Sequence, residues 1–272
     1  MKTILATTDF SPVANNAVYY AADMARAIHA NLLLLNTCQM PVSYNEMGVM
    51  MNVEDVLEIA EKDMEQFVTQ LTRENWGDLK IETEVRLGVF FHELKEVCEK
   101  VEPYAVVMGS QGTTEAERFF FGSHTVHAAK NLMWPLITVP AGVKFGQVKK
   151  IGLACDFKNV LGTIPVEEIK TLVKDFNAEL HVLNTGTEKA FDPDLVFQSG
   201  LLQEMMEGLD PAYHFITNAD TGLGILEFTE QNHIDLLIVF PKRHDLLDKL
   251  VHKSHSRQLV LHSHVPVMAL HH

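Results

Sequence analysis

Two kinds of hydrophobic pattern alternate along the first half of this chain. Five short runs have the length of strands, four of them mainly apolar as in strands covered on both faces, and the segments between them repeat apolar residues at helical spacing. The five runs are residues 4–8, 32–35, 81–85, 104–108 and 136–139. In the first helical segment the repeating residues are Ala17, Ala21, Met24 and Ile28. This alternation predicts an α/β domain with a doubly wound parallel sheet of five strands.

Polar residues before two of the helical segments predict where those helices begin. Ser11 is of a type favoured at the N-cap, and Pro12 is favoured in the first turn, so the first helix should start there. Asn52 should open the second helix in the same way.

The same order of segments returns in the second half of the chain. ILATTDF, from residue 4, returns as GLACDF, from residue 152, with Asp9 aligned on Asp156. ANLLLLNT, from residue 30, returns as AELHVLNT, from residue 178, and MWPLITVP, from residue 133, matches SHVPVMAL, from residue 263. Three matched segments in one order predict a duplicated domain. We expect two tandem domains, residues 1–143 and 149–272, with a polar linker between them.

Charge and composition narrow the class of protein. A net charge of −14 gives no general attraction to nucleic acid or to anionic membranes, so we expect neither as a partner. No apolar run approaches the ~20 residues that cross a bilayer, and Asp9 interrupts the N-terminal apolar run, so we expect a cytoplasmic location. The three cysteines, Cys38, Cys98 and Cys155, form no CxxC pair, which predicts reduced thiols.

A glycine pattern follows the fourth predicted strand. Gly109 comes directly after the apolar run, Gly112 follows after two residues, and Gly122 and Ser123 follow after nine more at the start of a helical segment. Glycines let the backbone approach a ligand, and a helix N-terminus attracts anions. The spacing is neither that of Walker A nor that of the dinucleotide fold. The pattern Gly-x2-Gly-x9-Gly-Ser resembles the nucleotide motif of the universal stress protein family.

That resemblance implies a fold, a ligand and a set of site residues. The fold would be adenine nucleotide alpha hydrolase-like with strand order 3-2-1-4-5. ATP, with or without Mg²⁺, would bind at the carboxyl ends of the strands, at the switch point between strands 1 and 4. The residues implied to bind the nucleotide are Thr7, Asp9, Thr37, Met108, Gly109, Gln111, Gly112, Gly122, Ser123 and His124. The first three would lie near adenine and ribose, the next four near ribose and the phosphates, and the last three near the phosphates.

Two of these assignments have structural alternatives. Asp9 could instead cap the first helix, and Gly109 and Gly112 could be only tight-turn glycines. The resemblance further implies that the two domains pair through their last strands, residues 136–139 beside residues 265–270, as an intramolecular pseudo-dimer. A homodimer and a protein partner stay open.

The second half loses the glycine pattern. Alignment on the matching prolines places Phe240, Arg243 and Lys253 where the first half has its three motif glycines, and only Ser254 matches. Large side chains there would keep the backbone away from phosphates, so we do not expect ATP to bind to the second half in the family manner. His252 and His255 lie one helical turn apart and could bind a metal or be surface histidines. Whether the chain binds a metal there stays open.

No enzyme motif accompanies the nucleotide pattern. The chain has no P-loop, nucleophile elbow or HExxH, so catalysis is not favoured and no catalytic residue is assigned. The leading hypothesis is an ATP-binding sensor or regulator of a stress response. The alternatives are a slow Mg²⁺-dependent ATPase, with Asp9 holding the metal, and a ligand-free dimerisation module.

Overall fold

The computed structural model describes ten strands in residues 1–39, 52–110, 124–157, 159–184, 193–218, 220–241, 259 and 263–271. The first half contains β1 (Thr3–Thr7), β2 (Asn31–Cys38), β3 (Ile81–Leu87), β4 (Ala105–Gly109) and β5 (Leu136–Val139). The second contains β6 (Lys150–Cys155), β7 (Glu179–Asn184), β8 (Ala212–Phe215), β9 (Leu236–Val239) and β10 (Val267–Ala269).

Helices connect the successive strands of the first half, as the hydrophobic pattern predicted, and the strands β6 to β9 of the second half. In the first half they are α1 (Pro12–Ala27), α2 (Val53–Leu71) with a π-helical turn (Thr72–Trp76), α3 (Phe90–Val101) and α4 (residues 124–131). In the second they are α5 (Val160–Thr163), α6 (Val166–Phe176), α7 (Pro193–Met205) and α8 (Thr221–Gln231). None of the helices described is both long and apolar enough to cross a bilayer.

Both predicted helix starts are confirmed. The Ser11 hydroxyl accepts a hydrogen bond from the amide of Ala14, and Pro12 is the first residue of α1. Asn52 and Asp55 form a capping box at the start of α2, in which each side chain accepts a bond from the other residue's amide. These bonds satisfy amides that the first turn of a helix leaves without partners.

The strands form one ten-stranded sheet in the order β3-β2-β1-β4-β5-β10-β9-β6-β7-β8. The first half has the expected order 3-2-1-4-5, and the second half repeats it. β5 and β10 pair antiparallel and join the two five-stranded units, which places the last strands of the two halves side by side as the resemblance implied. All other pairs are parallel. The strands of the two halves therefore run in opposite directions, and their carboxyl ends lie at opposite edges of the sheet.

Hydrophobic layers cover both faces of the sheet. The layer that contains α1, α2, α6 and α7 includes Ile4, Leu34, Leu172 and Leu202. The layer that contains α3, α4 and α8 includes Leu5, Leu94 and Ile225. Each layer contains residues of both halves, so the two halves share their core.

The repeat extends to unusual backbone conformations. The equivalent residues Phe10 and Phe157 both have positive φ, at 63° and 53°. The same holds for His29 and Asn177, at 54° and 49°, and for Glu102 and His233, at 44° and 53°. Non-glycine residues adopt this region infrequently, so its recurrence at three matched places supports the duplication inferred from sequence.

The predicted linker is packed between the halves. Phe145 contacts the Tyr20 ring at 5.1 Å and the Phe176 ring at 6.2 Å. Asn16 donates hydrogen bonds to the carbonyls of Pro140 (3.2 Å) and Val143 (3.0 Å). The connecting segment therefore contributes to the core instead of acting as a loose tether.

Side chains from opposite halves also meet at Asp175. Its carboxylate pairs with the Lys2 ammonium and accepts a hydrogen bond of 2.8 Å from the Tyr104 hydroxyl. Lys2 and Tyr104 belong to the first half and Asp175 to the second. A charged and hydrogen-bonded group thus connects the halves beside the shared hydrophobic layer.

Candidate functional site

The carboxyl end of β1 leads into a tightly hydrogen-bonded turn. The Thr8 hydroxyl accepts a bond from the amide of Phe10 (2.9 Å) and donates to Oδ1 of Asn15 (3.1 Å). Nδ2 of Asn15 donates in turn to the Phe10 carbonyl (3.1 Å). These bonds hold Phe10 at a φ of 63°, and they fix the path of the chain between β1 and the first turn of α1.

Asp9 projects from this turn and is exposed. Its Oδ1 atom accepts a hydrogen bond from the amide of Ser11 at 3.0 Å, an Asx-type turn. The N-cap of α1 is Ser11 itself, so Asp9 organises the turn before the cap. Its exposed carboxylate lies at the edge of the sheet that is formed by the carboxyl ends of β1 and β4.

The carboxyl end of β2 brings Asn36 and Thr37 beside this turn. Nδ2 of Asn36 donates a buried hydrogen bond of 2.8 Å to the Thr8 carbonyl. Oδ1 of Asn36 and the hydroxyl of Thr37 are both buried, and within the described chain neither has a hydrogen-bond partner. Buried polar atoms normally have one, so both atoms could bind a ligand or water. The sequence offered a signal for Asn36, since Asn-Thr recurs as Asn184 and Thr185.

Three of the implied site residues share one face of the sheet. Alternate residues of a strand lie on the same face, so Thr7 lies on the side of Leu5, and Thr37 on that of Leu33 and Leu35. Met108 belongs to the same layer. β1 pairs with β4 at Ala6 and Val107, and continuing that register places Thr7 opposite Met108. Thr7, Thr37 and Met108 are thus brought together on the side of α3 and α4.

His124 lies in α4 on that same side. Its side chain is exposed, and its ring contacts the Phe90 ring with a centroid distance of 5.2 Å. Thr125, the next residue, is buried and donates a hydrogen bond of 3.0 Å to the Gly109 carbonyl. This bond connects the end of β4 to α4.

Gly109 packs against α1. A Cβ at this position would lie 2.8 Å from Cγ1 of Val13 and 3.0 Å from the Val13 carbonyl oxygen. The glycine is therefore required where β4 passes the first turn of α1, a packing reason that sequence reasoning did not identify. The next amide, of Ser110, already donates to the Val139 carbonyl at 2.9 Å. The Ser110 amide is therefore not available to a phosphate.

Several implied site residues lie outside the described residues. They are Gln111, Gly112, Gly122 and Ser123. The positions of the second half that align with the motif, Arg243, Lys253 and Ser254, and the histidines His252 and His255 also lie outside the described residues. The assignment of the first four to phosphate binding stays a prediction.

The corresponding edge of the second half is built differently. β6 pairs with β9 at Ile151 and Leu236 in the same way that β1 pairs with β4 at Ile4 and Ala105, so Phe240 is the structural counterpart of Gly109. The helix after β6 is also interrupted, because α5 ends at Thr163 and α6 begins after Pro165. Phe240 therefore places a large side chain at the position where the first half requires a glycine.

The titratable groups described do not form an activated nucleophile or an open metal site. None of the three cysteines is in a disulfide, as predicted, and burial raises the pKa of the Cys98 thiol to about 12, with Glu99 adding to the shift. Within the described chain one group of metal-ligand atoms comes together, in His92, Glu93 and Glu96. The Arg86 guanidinium pairs with both glutamates, at 3.2 and 2.9 Å, and compensates their charge.

Comparisons with known proteins match both halves of the chain. A model of the universal stress protein family matches residues 1–140 and again residues 147–271. A universal stress protein of Methanocaldococcus jannaschii is 29% identical over 140 residues, which cover 51% of this chain and 81% of that protein.

Solved structures resemble the whole chain in fold. A universal stress protein from Archaeoglobus fulgidus aligns over 99% of this chain and 98% of its own, with a TM-score of 0.75 and 17% identity. A functionally unknown protein from Pseudomonas aeruginosa aligns over 99% and 92%, with a TM-score of 0.63 and 10% identity. The family model covers nearly the whole chain in two successive matches, so this chain belongs to the universal stress protein family and contains two of its domains in tandem.

Proposed function

We propose that this protein binds ATP in its first half and acts as a regulator in a stress response. The observation that carries the proposal is the buried Thr37 hydroxyl, which has no hydrogen-bond partner among the described residues. It lies on the same face as Thr7 and Met108, at the carboxyl ends of the strands beside the switch point between β1 and β4, whose following helices lie on opposite faces of the sheet. Open α/β sheets bind ligands at such a point, because the helices on either side of it leave a crevice.

The glycine pattern supplies the anion-binding part of the proposal. At a net charge of −14 the molecule as a whole repels a triphosphate, so local donors must hold it. Gly112, Gly122 and Ser123 lie in the sequence between Gly109 and Thr125, whose hydrogen bond connects β4 to α4. Backbone amides of that segment, with the Ser123 hydroxyl, would bind the phosphates, while Thr7, Thr37 and Met108 would contact the nucleoside.

Binding without turnover fits the chemistry of the described residues. The thiols of Cys38 and Cys98 have pKa values raised by burial, so neither is a thiolate near neutral pH. The turn after β1 contains hydroxyls that are engaged in structural hydrogen bonds, as in Thr8 and Ser11. A protein that holds a nucleotide without cleaving it can report nucleotide levels through its bound state.

Calorimetry with the variant Thr37→Val tests the nucleoside contact. The substitution keeps the shape of the side chain and removes the hydroxyl, so affinity for Mg-ATP should fall about three- to tenfold if that hydroxyl bonds the nucleotide. The matched control is Thr185→Val, at the equivalent position of the second half, which should leave the affinity unchanged. Equal losses in the two variants would reject the assignment of Thr37.

The variant Gly122→Val tests the phosphate contact. A branched side chain where phosphate approaches should weaken ATP by at least about tenfold, because each lost bond to a charged group is worth about 1.5–3 kcal/mol. Gly146→Val is the control, since a Cβ at Gly146 meets nothing within 4 Å. If ligand-stripped wild-type protein gives no binding heat with Mg-ATP, the proposed function itself fails.

Slow ATP hydrolysis is the second candidate, and the exposed Asp9 carboxylate favours it. A carboxylate at this edge could coordinate Mg²⁺. Phosphate release should then be lost in Asp9→Asn and in Gly122→Val. Release that persists in both variants would come from a contaminant and would reject an ATPase. Gly109→Val is unsuitable for this test because it would disturb the contact with Val13.

The remaining predictions about organisation belong to the same proposal. We propose domains of residues 1–143 and 149–272 that act as an intramolecular pseudo-dimer, consistent with the β5–β10 pairing. We further propose a cytoplasmic location and a second half that does not bind ATP in the family manner. Titration to one ATP per chain, and not two, is the expected stoichiometry.

A further inference from the structure

Three polar side chains bond the turn between β1 and α1. Nδ2 of Asn36 donates to the Thr8 carbonyl at 2.8 Å, and the Thr8 hydroxyl accepts from the amide of Phe10 at 2.9 Å. The same hydroxyl donates to Oδ1 of Asn15, and Nδ2 of Asn15 donates to the Phe10 carbonyl, both at 3.1 Å. Thr8 and Asn36 are only 5% and 6% exposed, so these bonds form a largely buried polar network.

The network fixes the peptide groups on both sides of Asp9. The Thr8 carbonyl belongs to the peptide group before Asp9, and the Phe10 amide belongs to the one after it; each is bonded to a side chain of the network. The bond from Asn15 holds the next carbonyl along the chain as well. The carboxylate of Asp9 is exposed and accepts a bond from the amide of Ser11. An exposed carboxylate is thus presented from a backbone that side chains hold in place.

The second half forms the same turn with two different side chains. Cys155 stands at the position equivalent to Thr8, and its sulfur accepts a bond of 3.3 Å from the amide of Phe157. Phe157 has a positive φ of 53°, as its counterpart in the first half does. Gly162 stands at the position equivalent to Asn15 and has no side chain to bond the turn. The backbone turn therefore forms without an asparagine there, and Asn15 is what the first half adds.

The half that contains Asn15 is also the half that contains the glycine pattern. The turn after β1 and the segment after β4 lie at the same carboxyl edge of the sheet, beside the switch point. Since the turn can form without Asn15, the site supplies the reason for the additional bonds. A carboxylate binds a ligand more tightly when its backbone is already fixed, because less conformational freedom is lost on binding.

We propose that Thr8 and Asn15 are positioning residues of the nucleotide site, which hold Asp9 where its carboxylate meets bound Mg-ATP. This inference rests on the proposed function and adds to it the residues that orient Asp9. Both side chains bond within the turn, so they act on the nucleotide through Asp9 and do not contact it themselves. Asn36 is common to both halves, as Asn184, and is not part of the difference between them.

Calorimetry with Mg-ATP on the full chain, first stripped of bound ligand, tests this proposal. Asn15→Ala removes both bonds of that side chain and should raise the Kd of Mg-ATP about three- to tenfold. Thr8→Cys introduces the side chain that the second half has at this position and should raise the Kd about threefold. The matched control is Asn16→Ala, which should leave the Kd unchanged. Asn16 is the next residue of α1, and its side chain bonds the carbonyls of Pro140 and Val143 instead of the turn.

A double-mutant cycle with Asp9 separates positioning from a general structural effect. Asp9→Asn should itself raise the Kd of Mg-ATP. In that background Asn15→Ala should add less than about a twofold change, because its effect passes through the missing carboxylate. Urea denaturation of the same variants provides the second readout: Asn15→Ala and Asn16→Ala should both lower the midpoint, although only Asn15→Ala weakens ATP. If Asn15→Ala does not fold, Thr8→Cys takes its place in the cycle, since the second half shows that a cysteine supports the turn.

The outcomes distinguish this proposal from the proposed function. A wild-type protein that binds Mg-ATP with a Kd unaffected by Asn15→Ala and Thr8→Cys, or unaffected by Asp9→Asn, would overturn the positioning role and leave ATP binding intact. Equal losses in Asn15→Ala and Asn16→Ala, or an equal effect of Asn15→Ala with and without Asp9→Asn, would show a structural role only and overturn it too. Absence of binding heat in the wild type would overturn both proposals before any substitution is made.

Discussion

Gly109 illustrates how one residue can satisfy a packing requirement and belong to a binding motif. The absence of its side chain allows β4 to pass Val13 at the start of α1, and its carbonyl accepts a bond from Thr125. Either requirement explains the glycine without a ligand. Gly122 is therefore the more decisive position for testing nucleotide binding, since its neighbours in the sequence belong to the proposed phosphate segment.

The packing role of Gly109 leads to a stability prediction. Gly109→Ala should lower the free energy of unfolding by about 1–3 kcal/mol, because the new methyl group would approach Val13 to within 3 Å and force a shift. Urea denaturation followed by circular dichroism measures the change. Gly146→Ala, where a methyl group enters open space, is the control and should change stability by less than about 0.5 kcal/mol. Equal stability of the two variants would contradict the packing role.

At the scale of elements, a pair of histidines connects β8 to the rest of the sheet. Nδ1 of His181 on β7 lies 3.0 Å from Nε2 of His214 on β8, and the His214 ring packs against Phe228 of α8 at 4.7 Å. β8 is an edge strand of four residues, so few other bonds hold it. The carboxylate of Glu179 lies 3.6 Å from Nε2 of His181 and is a charged group beside the pair.

The pair makes the stability of β8 depend on pH. Burial and, secondarily, the charge of His181 lower the pKa of His214 below its usual 6.5, so the unfolded chain binds protons more readily than the folded one. The stabilising contribution should therefore be complete above pH 6.5 and be lost as the pH falls through the folded-state pKa. For one proton the slope is at most about 1.4 kcal/mol per pH unit.

Hydrogen exchange and urea denaturation between pH 7.5 and about 5 measure this effect. We expect the amides of β8 to lose protection before those of β1 as the pH falls, and His214→Gln to reduce the pH dependence. His92→Gln, at an exposed histidine of the first half, should leave it unchanged. An identical pH dependence in wild type and His214→Gln would contradict the role of the pair.

At the scale of the molecule, the continuous sheet and shared core predict that the two halves unfold together. Trp76 and Trp134 both lie in the first half, so tryptophan fluorescence reports on that half alone, whereas far-ultraviolet circular dichroism reports on both. The two signals should give the same urea midpoint, since loss of either half would expose the other's part of the shared layers. Midpoints that differ beyond error would show that the β5–β10 contact does not couple the halves.

Much of each half was predictable from local patterns. Ser11 and Asn52 begin their helices as predicted, and the apolar runs became the strands, because caps and hydrophobic periods depend on residues close in sequence. β3 extends to Leu87, two residues beyond its predicted end, because β2 pairs with it as far as Cys38. The duplication was equally visible, since it repeats whole segments.

The candidate site was predictable only in part. Sequence placed Thr7, Thr37 and Met108 near strand ends, and the family resemblance supplied their roles. Three findings depend on contacts between strands and helices that lie far apart in the sequence. Thr7, Thr37 and Met108 share a face of the sheet, Asn36 donates a hydrogen bond to Thr8, and Gly109 packs on Val13. The local pattern of hydrophobic residues does not reveal such long-range contacts.

The sequence by itself determined the α/β class, the tandem repeat, the helix starts and the glycine pattern, all of which are local or repetitive features. Only the tertiary structure decided that the last strands pair antiparallel, so that the two carboxyl edges point in opposite directions, that the halves share their hydrophobic layers, and that His181 meets His214. The physical reason is that these contacts are made by residues separated by tens to more than a hundred positions, which chain folding alone brings together.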